Sequence, residues 1–251
     1  MNLRSIVAIA AVATMGSAMA AYTSNVKLCR VEITNNYSDV LVSLPMVGVG
    51  ATTNISPAAC VLTNGLQNGD YMYANVGGTR KGWQFDSATA KWKGSQILSD
   101  DFEDIPAAGD DDKIPCGGSV WIHRATSGTS IYLFGQVATN ALETSAVASF
   151  TMMGNATTNV VKLTAIPWKT ECAPVVGDQI ITIGPGGSMA AMYTCATDGG
   201  ASWTQLVRKP GEGRPTYDTV TYTSDNSPEF SPGEGFYFKR INTDARTIKW
   251  R

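Results

Sequence analysis

His123 is the sole histidine of the 251 residues, and it stands beside Arg124, shortly after the turn Pro115-Cys116-Gly117-Gly118. Acid–base work by an imidazole needs a nucleophile or carboxylate within hydrogen-bond reach. Nothing near His123 in the sequence nominates one, so it reads as a strand residue facing solvent. A single histidine excludes most imidazole-based chemistry and leaves carboxylates as the remaining hydrolytic route. These gather in Asp100-Asp101-Phe102-Glu103-Asp104 and in Asp110-Asp111-Asp112. Clustered carboxylates suit calcium, but the D-x-D-x-D-G spacing of an EF-hand is absent. The later chain offers only scattered Asp218, Asp225 and Glu229. A solvated loop is the expectation, with no metal and no cofactor. The carboxylate pair of a glycoside hydrolase would have to come from the same pool, with Asp101 and Asp111 as the residues to test.

Two other residue types could contact a partner. An indole can stack on the C–H face of a sugar, and there are six tryptophans. Trp92, Trp203 and Trp121 have aromatic counterparts in the internal repeat described below, so they are expected to build cores. Trp83 and Trp168 have none, and become the candidate ligand contacts. The five cysteines, Cys29, Cys60, Cys116, Cys172 and Cys195, show neither C-x-x-C nor a zinc-type cluster. An odd number leaves at least one thiol unpaired or paired between chains, with Cys29, Cys116 and Cys195 the candidate intermolecular thiols. The glycine-rich stretches at 77–78, 184–187 and 233–235 lack the Lys-Ser/Thr of a phosphate loop, and read as turns.

These residues are carried by a repeated pattern. Gly69-Asp70-Tyr71-Met72 runs to Trp83-Gln84-Phe85 and closes at Lys91-Trp92; Gly177-Asp178-Gln179-Ile180 runs to Ala191-Met192-Tyr193 and closes at Ser202-Trp203. Pairing without gaps sets Phe85 on Tyr193 and Gly78 on Gly186. Leu41-Val42-Ser43-Leu44 pairs with Val160-Val161-Lys162-Leu163, and Asn36 with Asn155. Ile114-Pro115-Cys116-Gly117-Gly118 pairs with Ser231-Pro232-Gly233-Glu234-Gly235, which carries Trp121 onto Phe238, His123 onto Arg240 and Ile131 onto Ile248. Several blocks in one order indicate a duplication, with β-module one at 21–139, β-module two at 140–251, and a linker at Ala138-Thr139-Asn140-Ala141.

Within a module, β-branched and aromatic runs bounded by Gly, Asn and Pro predict strands. They fall at Val26–Thr34, Val40–Leu44, Tyr71–Val76, Gly82–Phe85, Val120–Arg124 and Ser130–Val137, then again at Phe236-Tyr237-Phe238 and Thr247–Trp250. Ser56-Pro57 predicts a short helical turn with Ser at the N-cap and Pro at N1. The fold class is all-β: two tandem antiparallel sandwich or barrel-like modules. The second ends soon after Trp250, so its last strand reads as truncated or completed by a partner.

The chain opens with Arg4, an apolar run from Ile6 to Met15 and the small-residue tail Gly16-Ser17-Ala18-Met19-Ala20. That order predicts a secretory signal peptide over 1–20. Its apolar run falls short of the roughly 20 residues that span a bilayer, and no later stretch reads as a membrane helix. The formal net charge is −2, and loss of Arg4 with the leader makes it more negative. Nucleic acid is therefore excluded as a partner, since phosphate binding needs a clustered basic face.

The Gly-Asp hairpin, the tryptophan closure and the late block Pro232-Gly233-Glu234-Gly235-Phe236-Tyr237-Phe238-Lys239 belong to one pattern. With Leu41–Pro45 and Ile131–Val137 they resemble secreted tandem β-repeat proteins, mostly uncharacterised, of Verrucomicrobiota- and Lentisphaerota-like bacteria. The resemblance implies export and β-structure, and carries no catalytic residue across. The expected function is a non-enzymatic structural or assembly protein of the cell surface, periplasm or extracellular space. Its expected partners are further copies of itself or an envelope protein. The alternatives are a carbohydrate- or glycoprotein-binding module and a secreted hydrolase using carboxylates.

Overall fold

The computed structural model describes residues 28–33, 39–48, 51, 53–63, 66–98, 104–109, 111–125, 130–137, 142–157, 159–184, 187–209 and 215–250. The expected leader at 1–20 and the expected linker at 138–141 lie outside these residues. The fold is all-β, a set of antiparallel sheets with no closed barrel among the described residues. Among the described residues no helix is long and apolar enough to cross a membrane.

The first half contains β1 (Leu28–Ile33), β2 (Asp39–Ser43), β3 (Asn54–Ile55), α1 (Pro57–Cys60), β4 (Val61–Thr63), β5 (Tyr71–Val76), β6 (Thr79–Asp86), β7 (Lys91–Gly94), β8 (Ile97–Leu98), β9 (Asp104–Ile105), β10 (Ile114–Pro115), β11 (Ser119–His123) and β12 (Ile131–Gln136). Its main sheet has the order β2-β11-β5-β6-β7, and β1-β12-β4 forms a second. Alternation drives this pairing. On β12, Ile131 and Leu133 point inward and are fully buried while Phe134 is exposed. Each large apolar side chain buried in this way contributes about 1.5–3 kcal/mol. The single helical turn begins at Pro57 as expected, although Ser56 makes no side-chain cap bond.

The second half contains β13 (Glu143–Ala146), β14 (Phe150–Gly154), β15 (Val161–Lys162), β16 (Gln179–Ile183), β17 (Met189–Cys195), β18 (Trp203–Arg208), β19 (Tyr217–Tyr222), β20 (Glu229–Phe230), β21 (Gly235–Lys239) and β22 (Arg246–Lys249). Its main sheet is β14-β21-β16-β17-β18-β19. The first five positions take the same connection order as β2-β11-β5-β6-β7, and the ladders β3–β10 and β1–β12 have counterparts in β15–β20 and β13–β22.

The registers revise three pairings of the repeat. Met72 faces Trp83 across the first hairpin and Ile180 faces Tyr193 across the second, so Trp83 and Tyr193, not Phe85 and Tyr193, hold the same place. Ile122 faces Met72 and Phe238 faces Ile180, which moves the late block by one residue. Leu41 to Ser43 lie in β2, whose position in the second half is taken by β14 and not by Val160–Leu163. The offset between the halves changes because the connection from β16 to β17 is longer than that from β5 to β6, and a gap-free comparison cannot absorb that.

The halves meet reciprocally. Val42 bridges Glu234 and Met153 bridges Gly118, while the Ser43 N–H donates to Gly233 O at 2.9 Å and the Gly154 N–H to Gly117 O at 3.0 Å. Ser43 Oγ and Ser119 Oγ add bonds to Asn155 O and Met153 O. Gly117 and Gly233 both adopt left-handed backbone, φ 83° and 81°, which turns their carbonyls to the crossing strand. A side chain on Gly154 would meet Glu234 O at 2.4 Å and the Ser43 Cβ at 2.5 Å, so only glycine admits the approach.

The last strand is not left open. Lys169 donates its N–H to Thr247 O and Lys249 donates to Pro167 O, each at 2.8 Å, so residues 167–169 run along β22. The expectation of a strand awaiting a partner is corrected: the chain closes that edge itself.

Candidate interaction surface

The Gly-Asp motif is structural. Asp70 accepts the Gln67 N–H at 2.9 Å and the Ala125 N–H at 2.7 Å, joining the start of its hairpin to the loop after β11. Asp178 does the same, accepting from Val175 at 3.0 Å and Ile241 at 2.9 Å, and also pairs with Arg246 at 2.6 Å. The Arg240 guanidinium is spent on the carbonyls of Val147, Ala148, Thr243 and Asp244. Buried charge here closes loops, as the cost of burying it requires.

His123 is not simply solvent-facing. Its Nδ1 lies 2.8 Å from Asp39 Oδ1, which also accepts the Trp121 indole N–H at 3.3 Å. Tyr71 stacks on the imidazole with ring centroids 4.6 Å apart. The carboxylate comes from the strand opposite, since His123 faces Asp39 in the β11–β2 register. In the second half the corresponding pair is Lys239 facing Phe150, with the ammonium 5.4 Å from the ring centre. Both are cross-strand pairs at the end of a ladder, one ionic and one cation–π.

Beside Asp39, a crevice of 340 Å³ opens where the halves meet, with Leu41, Ile183, Pro232 and Glu234 in its walls. Desolvation lifts the Glu234 carboxyl above its ordinary pKa, opposed by a hydrogen bond from Ser231. Among the described residues no group of three or more His, Cys, Asp or Glu side chains could hold a metal ion.

Of the sequence-predicted ligand contacts, Trp83 is 0% exposed and its indole N–H donates to Gly109 O at 3.2 Å. It fills the core because it faces Met72 across its hairpin, as the core residue Tyr193 faces Ile180 across the second. Trp168 is half-buried against Phe238, with ring centroids 5.2 Å apart and its indole nitrogen enclosed. Trp83 offers no open face to a sugar and that expectation is corrected, whereas Trp168 keeps part of its side chain exposed.

Two of the three candidate thiols are also corrected. Cys116 and Cys195 are both 1% exposed, so neither reaches a second chain. Burial pushes the Cys195 thiol up to about 11, and its Sγ lies 3.0 Å from Thr197 O. The Cys29 side chain lies outside the described residues. Among the described thiols, half-buried Cys172 is the most open. Of the carboxylates, residues 100–103 and 110 lie outside the described residues. Asp112 is held by Lys81 at 3.0 Å and by the Gly109 N–H at 2.8 Å.

No family model matches this chain, and no curated protein or solved structure matches it either.

What the fold leaves open is a strand edge. β18 and β19 form a six-pair ladder beyond the part of the sheet that the first half shares. β19 stands at the sheet's edge, and its arm exposes Leu206 at 63% and Tyr217 at 56%. The sequence reading missed it. Tyr217-Asp218-Thr219-Val220-Thr221-Tyr222 has strand composition, but no matching segment of the first half marks it.

Proposed function

We propose that this chain is an exported, non-enzymatic structural or assembly protein of the periplasm or outer surface, built from a duplicated β-module and joined to its neighbours through the β19 arm. The open β19 edge carries the reading. An unpaired row of backbone donors and acceptors on an exposed strand is a template for strand addition, and it lies on a long hairpin with no counterpart among the described residues of the first half. The closed structural use of Asp70, Asp178, Arg240 and Arg246 fits a rigid block. The leader-like start, from Arg4 through Ala20, supports export.

The test is the absolute mass of residues 21–251 by light scattering on a sizing column, over a concentration series, oxidised and reduced. Assembly that grows with concentration and ignores reductant is expected, because Cys116 and Cys195 are buried. A monomer at every concentration, in both states, overturns the reading.

A further inference from the structure

We propose that β19 pairs antiparallel with β19 of a second copy, about a two-fold axis at Thr219, so that two six-stranded sheets become one. The inference rests on the assembly reading and adds the partner and the register.

Backbone parity comes first. Along an antiparallel edge strand, a residue sends its N–H and C=O to the same side, and successive residues alternate. The Lys209 N–H donates to Thr216 O, so even-numbered residues face β18. Asn226 confirms the other half of the rule: its side chain donates to Thr221 O at 2.9 Å and accepts the Thr223 N–H at 2.8 Å. Odd-numbered residues therefore face away from the sheet. Among the described residues, the N–H and C=O of Tyr217 and Thr219 and the N–H of Thr221 meet no backbone partner.

Symmetry then selects the register. A two-fold axis that continues a sheet is perpendicular to it, so one residue must face itself. Asp218 there would oppose like charges, Val220 would need the Thr221 C=O that Asn226 holds, and Thr216 would set Tyr217 against Pro215, which leaves the outward-facing residues. Centring on Tyr217 sets Thr219 against Pro215, which has no N–H. Centring on Thr221 runs into the Asn226 cap. Centring on Thr219 lets the two Thr219 residues exchange both bonds, and sets each Tyr217 C=O before the Thr221 N–H of the other copy. Every open group but the Tyr217 N–H then has a use; that N–H faces the Thr221 C=O, which Asn226 already holds.

The side chains agree with that register. Thr219 faces Thr219 and Tyr217 faces Thr221, pairings that favour antiparallel sheets. Asp218 faces Val220, so no like charges oppose, and Lys209 at 2.7 Å already balances Asp218. The segment Tyr217–Tyr222 has no proline, lysine or arginine to discourage edge pairing. Leu206 lies across from Thr219 on the same face, and its exposed side chain extends the row toward the axis. A second copy is the partner whose open groups complement these by construction.

The experiment is disulfide trapping in residues 21–251 carrying Cys29→Ser and Cys172→Ser. Paired residues at the axis lie about 5.5 Å apart at Cα, within the disulfide range of roughly 4.4–6.8 Å. Thr219→Cys should cross-link with itself on mild oxidation. Asp218→Cys and Val220→Cys should each fail alone and cross-link when mixed. Thr219→Pro removes an outward N–H and no ladder bond, so it should weaken association at least tenfold with an unchanged melting temperature. Assembly by light scattering without these cross-links overturns the register and leaves the assembly reading standing. A monomeric parent overturns both. A dimer that appears only when residues 21–27 are deleted means that the chain's own beginning occupies the edge, and it also overturns the proposal.

Discussion

Asp178 and Arg246 form a buried ion pair, Oδ2 to Nε at 2.6 Å, with side chains 0% and 3% exposed. The pair ties the start of the second hairpin to β22, and the Asp178 carboxylate also holds the N–H groups of Val175 and Ile241. Removing one member strands the other in a low-dielectric site. Arg246→Met should therefore cost about 3–5 kcal/mol, the range for a broken buried pair. Urea denaturation followed by tryptophan fluorescence measures it, and a loss below 1 kcal/mol would mean that the pair is solvated.

The contact between the halves makes a second, steric prediction. Gly154 has negative φ but no room, whereas Gly69 has room but a φ of +102°. Gly154→Val forces β14 away from Ser43 and Glu234 and should cost about 1–3 kcal/mol as overpacking. Gly69→Ala meets nothing within 4 Å and should cost only about 1 kcal/mol, from backbone strain alone. Equal losses in thermal melts would show that the halves separate at Gly154 without penalty.

How far the sequence could be read follows from where each signal lives. Strand composition is local, so β5, β11, β12 and the helical turn at Pro57 were legible, as was the paired Gly-Asp motif. The Asp39–His123 contact was not, because it joins residues 84 apart through a strand register. Trp83 was misjudged for a related reason. A turn of different length displaced its counterpart Tyr193, and an apparently unmatched indole then looked free. Residues 167–169 closing β22 include Pro167, which argues against a strand in the sequence. β19 had the composition, but no repeat partner to draw attention to it.

The thiols should react in an order set by burial. Cys172 is half-buried, whereas Cys60, Cys116 and Cys195 are 1% exposed. With Cys29→Ser in place, Ellman's reagent at neutral pH should modify Cys172 quickly and the other three only on unfolding. Rapid modification of Cys116 would mean that the junction between the halves opens in the native state.

Burial of Cys195 also makes stability depend on alkaline pH. The folded state lifts this thiol from 9.0 to about 11, chiefly by desolvation. A group whose folded pKa is raised holds its proton longer when folded than when unfolded. Its contribution is complete below the unfolded value and is lost as pH rises through the folded one. Burial raises Cys60 in the same direction and further. Unfolding free energy should thus be flat with respect to these thiols near neutrality and fall as pH rises from about 9 toward 11. Cys195→Ala should flatten part of that decline while leaving the slope due to Cys60. Urea titrations at successive pH values read the slope directly, and an identical decline in the variant would show that the Cys195 thiolate forms in the folded protein at no cost.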